Sequence, residues 1–188
     1  MAKKKQTDND AQMFEVKIDL RQDLIKDMKE VRVLEAFAGD GAIWGEIKRR
    51  NPDKKIKVLR IDQKPDKVGV YLKGDNTKFM GKMDLTKFDL IDLDAYGSPY
   101  NQLELVFASN YQGPVVCTFI QTMQGGLNKQ LLIELGYSRK MIEKCPSLFS
   151  TNGFEKMKAY LAKKGVKKVK FYSQNRKNYF SFFRKKSG

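Results

Sequence analysis

An apolar stretch that runs into acids stands near the middle of the chain, FDLIDLDAYGSP at residues 88–99. Asp92, Asp94 and Tyr96 fall where this strand leaves its sheet. Carboxylates there can accept protons or hydrogen bonds, and an aromatic ring can stack on a planar ligand. A second candidate is the glycine turn in EAFAGDGAIWG at 35–45. Missing side chains at Gly39 and Gly41 let the backbone approach a ligand, and the helix start beyond them favours an anionic group. Asp62 lies about 20 residues past the glycines, the spacing at which an acid takes ribose hydroxyls. Its plainer reading is a solvated charge at a strand end. The turn lacks the GxGxxG spacing of nicotinamide-cofactor dehydrogenases and the GK[ST] ending of phosphate loops, so both classes lose ground.

Composition narrows the chemistry. The chain has 188 residues and no histidine, so the commonest general base and metal ligand are both missing. Any chemistry must use carboxylates, backbone groups or a cofactor, and no metal is expected. Lys and Arg number 37 against 22 Asp and Glu, a net charge of +15. Such a field favours a polyanionic partner, nucleic acid first, although a basic surface can also serve solubility alone. No apolar run approaches the roughly 20 residues of a membrane span, and no apolar signal core follows the basic start. The expectation is a cytoplasmic protein without a membrane partner, its two cysteines, Cys117 and Cys145, unpaired.

The elements that must position these residues alternate. Residues 1–12 read as a flexible polar tail and 13–188 as a single domain. Apolar spacing predicts a helix from Phe14 to Val31, with Asp19 as a cap. Strands follow at 31–37, 55–62, 68–75, 88–94 and 113–120, with helices at 42–50 and 99–109. The link QKPDK after Asp62 is too short for a crossover helix. Residues 123–149 read as a helical insertion, clearest at LNKQLLIEL, and its Gly125-Gly126 pair could let a substrate-covering segment move. Thr151 or Asn152 then caps a helix through Lys164 that Gly165 ends, and strands at VKKVKFYS and YFSFFRK close the chain as a hairpin. This order predicts an α/β fold with a mostly parallel sheet, helices on both faces and an antiparallel edge. Ligands of such sheets bind at the carboxyl ends of the strands, where Glu35, Gly39, Asp62, Asp75 and Asp94 all fall.

LEAFAGDG resembles the first motif of class I S-adenosylmethionine-dependent methyltransferases, in the Phe-x-Gly-x-Gly form found among nucleic-acid enzymes, and the likeness extends over residues 30–186. It implies a Rossmann-like, seven-stranded methyltransferase fold with S-adenosylmethionine as cofactor. It further implies that Glu35, Phe37, Gly39 and Gly41 line the cofactor's methionine end, that Asp62 takes its ribose and that Asp75 takes the adenine amino group. DAYGSP is similar to the DPFGSP block of tRNA guanine-26 N2-dimethyltransferases, with Ala95 in place of the usual proline. By that resemblance Asp94 and the Ala95 carbonyl accept from an exocyclic amine and Tyr96 stacks on the target base. The chemistry has a reason, since the conjugated lone pair of such an amine attacks only when acceptors draw its hydrogens out of plane. The base must be unpaired or flipped to reach the pocket. Ser98 as N-cap, Pro99 as first helical residue and Gly97 as turn former are ordinary helix-start chemistry. Asp92, if it faced the side of the sheet opposite Asp94, would be a plain strand-end residue.

The expected function is methyl transfer to a base amino group, with RNA guanine N2 ahead of DNA adenine N6. A non-catalytic nucleic-acid-binding module on the same fold is the alternative from another class, and protein methylation ranks lower. RNA is preferred over DNA as partner. Arg49 and Arg50, Lys164, Lys167 and Lys168, and Arg176 and Lys177 are the candidate phosphate contacts. In the same C-terminal region half of the aromatics are expected to face the core.

Overall fold

A computed structural model describes residues 11–120, 127–146, 151–174 and 177–184. Residues 1–10 of the tail expected at 1–12, the Gly125-Gly126 segment, the end of the helical insertion and Arg176 lie outside the described residues, and residues 11 and 12 belong to the first helix instead of the tail. Seven strands form one sheet: β1 (Glu30–Glu35), β2 (Lys55–Asp62), β3 (Leu72–Lys73), β4 (Leu90–Asp94), β5 (Pro114–Ile120), β6 (Val169–Gln174) and β7 (Lys177–Phe183). Their order is β3-β2-β1-β4-β5-β7-β6. The first five run parallel, and β7 is antiparallel to both neighbours. The chain order reverses between β1 and β4, which places the switch point beside the glycine turn.

Two helical layers cover the sheet. On one face lie α1 (Ala11–Ile25) and α2 (Ala42–Arg50). Ile18, Ile25, Trp44 and Ile47 pack there against Val31, Val33, Ile56, Leu90, Val116 and Tyr179. On the other face lie α3 (Asn76–Met80), α4 (Tyr100–Ala108), α5 (Lys129–Glu134), α6 (Arg139–Lys144) and α7 (Gly153–Lys163). Leu103, Val106, Leu131, Met157 and Leu161 pack there against Leu34, Ile91, Leu93, Val115, Phe180 and Phe182. The period-2 alternation of strand side chains sorts these two cores. Position in the sheet decides the aromatics of the hairpin: Tyr179, Phe180 and Phe182 of the inner strand β7 are buried on its two faces, while Phe171 and Tyr172 of the edge strand β6 and Phe183 at the end of β7 are exposed.

Several local expectations change. The first helix starts earlier and ends at Ile25, so Asp19 sits inside it rather than capping it. The third strand shrinks to two residues, because 63–71 instead wraps back over the end of β2: the Tyr71 hydroxyl donates to Lys64 O at 3.1 Å, and Arg60 Nη1 donates to Val68 O at 2.5 Å. Pro99, not Ser98, occupies the N-cap of α4, and the buried Ser98 hydroxyl makes no hydrogen bond. Proline's fixed φ suits that place, and the cap forms without a side-chain acceptor. Asn152 occupies the N-cap of α7 in the left-handed region, and Gly165 follows its end at a φ of 85°. The short helix α3 and a 3-10 turn at Leu85–Lys87 fill a stretch without a clear sequence signal. Cys117 is buried and Cys145 exposed, both as free thiols. No described helix is long and apolar enough to cross a membrane.

Candidate functional site

On the face toward α1 and α2, each central strand changes from apolar to charged or polar in its last residues. Glu35 follows Val31 and Val33, Arg60 and Asp62 follow Ile56 and Val58, Asp92 and Asp94 follow Leu90, and Thr118 follows Val116. The parallel register sets Glu35 beside both Arg60 and Asp92, and Asp94 beside Thr118. A belt of polar groups therefore runs across the carboxyl end of the sheet.

The glycine turn closes onto this belt. Gly39 and Gly41 take φ of 51° and 71°, a region that favours glycine, and Gly41 N donates to Ala38 O at 2.8 Å. Asp62 grips the turn: one oxygen accepts from Gly39 N and the other from Lys64 N, each at 2.8 Å. Asp75 caps α3, accepting from Thr77 N at 2.9 Å and Thr77 Oγ1 at 2.7 Å, and the Thr77 hydroxyl holds its carboxyl below the usual range. Next to it the buried Asn76 amide donates to Ala36 O at 2.6 Å and accepts from Gln102 at 2.7 Å, tying the turn after β3 to the end of β1. Phe37 packs toward the opposite core, against the layer of α3 to α7.

Asp92 and Asp94 are two residues apart and share one face, which corrects the conditional reading that set them on opposite sides. Asp92 is fully buried and accepts three bonds, from Arg21 Nε at 2.6 Å, Arg21 Nη2 at 2.7 Å and Trp44 Nε1 at 2.7 Å. It is thus far from a plain strand-end charge. Burial raises the Asp92 carboxyl against the pull of Arg21. Burial also opposes the Arg21 charge, yet Asp92 and Asp94 together lift its pKa above the ordinary arginine value. Asp94 is turned toward α1, with one oxygen bonded by the Thr118 hydroxyl and the other by Lys17 Nζ at 2.9 Å. Burial works to raise its pKa, but Lys17 and Arg21 prevail and hold it below the carboxylate norm. The Lys17 ammonium also lies 5.6 Å from the Tyr179 ring centre. Beyond Asp94, Ala95 N donates to Leu93 O at 2.8 Å and the chain turns outward, leaving Tyr96 71% exposed. Asp94 and Tyr96, paired in the sequence motif, thus point in different directions.

Glu35 is 3% exposed. Burial, then the charge of Asp92, push its carboxyl up to about 8, against Arg21 and Arg60. The sequence did not mark six residues of this belt and its surroundings as candidates: Lys17, Arg21, Arg60, Asn76, Trp44 and Thr118. The first two had a signal, two basic residues one helical turn apart among Ile18, Leu20 and Ile25. Arg60 had a weaker one, a charge in the alternating apolar run of β2.

The candidate phosphate contacts divide. Arg49 pairs with Glu46, and Arg50 with Glu15 and Glu46. Lys164 bridges Glu104 at 2.8 Å and Glu134 at 3.1 Å. Lys167 and Lys168 are exposed ahead of β6, and Lys177 begins β7. Carboxylates thus neutralise Arg49, Arg50 and Lys164, whereas Lys177 lies opposite Ile120, at the same carboxyl end of the sheet as the belt.

No family model matches this sequence, and no curated protein resembles it in sequence. Solved structures do resemble it in shape. A Listeria monocytogenes protein provisionally assigned to the class I S-adenosylmethionine-dependent methyltransferases superposes with a TM-score of 0.55 at 12% identity, over 94% of this chain and 60% of that one. A SAM-dependent methyltransferase from Archaeoglobus fulgidus gives 0.55 at 14% identity, over 90% and 93%. An O-methyltransferase family protein from Burkholderia thailandensis gives 0.53 at 11% identity, over 95% and 57%. The chain therefore spans about three fifths of the length of the Listeria and Burkholderia proteins and nearly the whole of the archaeal one. With its strand order, switch point and antiparallel closing hairpin, the chain has the Rossmann-like fold of the class I S-adenosylmethionine-dependent methyltransferases.

Proposed function

We propose that the chain is an S-adenosylmethionine-dependent N-methyltransferase acting on an exocyclic amino group of a nucleic-acid base, RNA guanine N2 in the first place. The observation that carries the cofactor reading is the grip of Asp62 on Gly39 N, which joins the glycine turn to the acid at the end of β2 at the switch point of the fold. Glu35, Gly39 and Gly41 would face the cofactor's methionine end. Asp62 and the Asp75 turn would face its ribose and adenine, while Phe37 braces the turn from the opposite core. When bound, S-adenosylmethionine supplies an electrophilic methyl group.

The chain's own work is then to position an amine and accept its hydrogens. Lys17 and Arg21 keep Asp94 ionised, the state that can accept from an amine, and Thr118 fixes one of its oxygens. To receive a substrate amine, Asp94 must trade its bond to Lys17, which is an exchange of one donor for another. The Ala95 carbonyl is the second acceptor, and the exposed Tyr96 ring is free to stack on a base. The net charge of +15 supports a nucleic-acid substrate, with exposed Lys167 and Lys168 at the hairpin as phosphate contacts.

A second reading, a binding module without catalysis, draws support from the same bond: Asp94 is already satisfied by Lys17 and Thr118. Transfer of labelled methyl from S-adenosylmethionine to total RNA and to genomic DNA, followed by nucleoside identification, separates the readings. Label in N2-methylguanosine supports the proposal, and label in N6-methyladenine of DNA replaces its substrate. Salt-sensitive nucleic-acid binding that ignores S-adenosylmethionine would leave the binding module.

A further inference from the structure

Arg60 and Glu35 form an unusual pair. They are register partners on β2 and β1, and Arg60 Nε lies 3.7 Å from Glu35 Oε2. Both atoms are buried, and neither makes a hydrogen bond. Buried polar atoms are normally bonded, since leaving one unmet costs its full desolvation. The contrast with Arg21 and Asp92 on the same face is direct, for there both guanidinium donors close onto the carboxylate within 2.7 Å. Arg21 builds a closed lock, whereas Arg60 and Glu35 stand side by side with a donor and an acceptor left over.

The rest of the Arg60 guanidinium is anchored at the glycine turn. Nη2 donates to Gly39 O at 3.0 Å and Nη1 to Val68 O. A Cβ on Gly41 would fall 2.6 Å from Arg60 Cζ, so the absent side chain of Gly41 makes room for this guanidinium. The side chain is only 14% exposed beneath the 63–71 loop and Nε itself is buried, so a polymer backbone does not reach it and a small ligand reaches it only by parting Arg60 from Glu35. A buried cation with a spare donor beside a buried carboxyl with a spare acceptor complements an α-amino acid, which offers a carboxylate and an ammonium on one carbon.

We propose that Arg60 binds the α-carboxylate of the cofactor's amino-acid end and that, with Glu35 facing the ammonium, it sets the preference for ligands that carry that end. This rests on the cofactor reading above. The ammonium of the ligand excludes a simple exchange of places with the guanidinium, because the two cations repel unless the carboxylate lies between them.

The test is calorimetric titration of the full chain with two nucleosides, S-adenosylhomocysteine, which has the amino-acid end, and 5′-methylthioadenosine, which lacks it. The wild type should bind S-adenosylhomocysteine more tightly. Arg60→Met should weaken S-adenosylhomocysteine at least tenfold and leave methylthioadenosine within twofold. Arg60→Lys, which keeps the charge and one donor, should fall between and serves if the methionine variant does not fold. Equal losses for both ligands would overturn the assignment and make Arg60 a support of the turn. Tighter S-adenosylhomocysteine binding in the variant would also overturn it, by showing that the guanidinium obstructs the site. A wild type that binds neither nucleoside would overturn the cofactor reading itself, an outcome distinct from either result with the variant.

Discussion

Arg21 in the first helix and Asp92 at the end of β4 share two hydrogen bonds of 2.6 and 2.7 Å across 71 residues of sequence, in full burial. The indole N–H of Trp44 closes the third side of the carboxylate. This bond set fastens α1 over the carboxyl end of the sheet and delivers Lys17, one turn earlier, to Asp94.

Removing one partner leaves an uncompensated buried charge. Arg21→Met should therefore destabilise the fold by about 3–5 kcal/mol, and the double variant Arg21→Met/Asp92→Leu should recover part of that loss. Urea melts followed through Trp44, the chain's single tryptophan, measure both. A single variant as stable as the wild type would mean that α1 is held by its apolar contacts alone.

Asp94 is the proposed amine acceptor. Asp94→Ala should abolish methyl transfer while cofactor affinity stays within about tenfold, or about 1.4 kcal/mol. Because Lys17 helps hold the Asp94 carboxyl low, Lys17→Met should move the acid limb of the pH–rate profile upward. Full turnover in Asp94→Ala would remove Asp94 from the reaction.

Glu35 links pH to stability. Its carboxyl is raised from an ordinary 4.5 to about 8 in the folded chain, so the fold holds the proton over a range in which the unfolded chain has released it. The contribution is fully present below about 4.5 and is lost as pH rises through about 8. The slope reaches at most about 1.4 kcal/mol per pH unit. Glu35→Gln cannot ionise, so its stability relative to wild type should rise from pH 5 to pH 8. Parallel curves for the two proteins would show that Glu35 titrates normally.

The basic residues of the C-terminal region should separate by their partners. Neutralising Lys167 and Lys168 should reduce the salt slope of single-stranded RNA binding by about 1.4, at roughly 0.7 per phosphate contact. Lys164→Gln should leave that slope unchanged and lower stability instead, because it abandons Glu104 and Glu134. A slope that moves with Lys164 and not with its neighbours would reverse the assignment.

The sequence by itself determined what depends on neighbours in the chain. An alternating run located β2 and a continuous apolar run located β5 nearly to the residue, helical spacing located α2, and the short link after Asp62 excluded a helix there. The glycine turn and the acids at the strand ends were legible because each is a local consequence of how a strand ends, whereas the outward turn of Tyr96 away from Asp94 was not. Tertiary structure alone decided which buried charges meet. Asp92 and Asp94 look alike in FDLIDLDAYGSP, yet one is sealed by Arg21 and Trp44 while the other keeps a bond to Lys17 that a ligand could replace. Arg49, Arg50 and Lys164 read as free cations until carboxylates distant in sequence or a helical turn away were set against them. The cause is physical: hydrophobic periodicity is written along the chain, whereas the partner of a buried charge is chosen by the packing of elements far apart in sequence, where leaving that charge alone would cost more than the fold can bear.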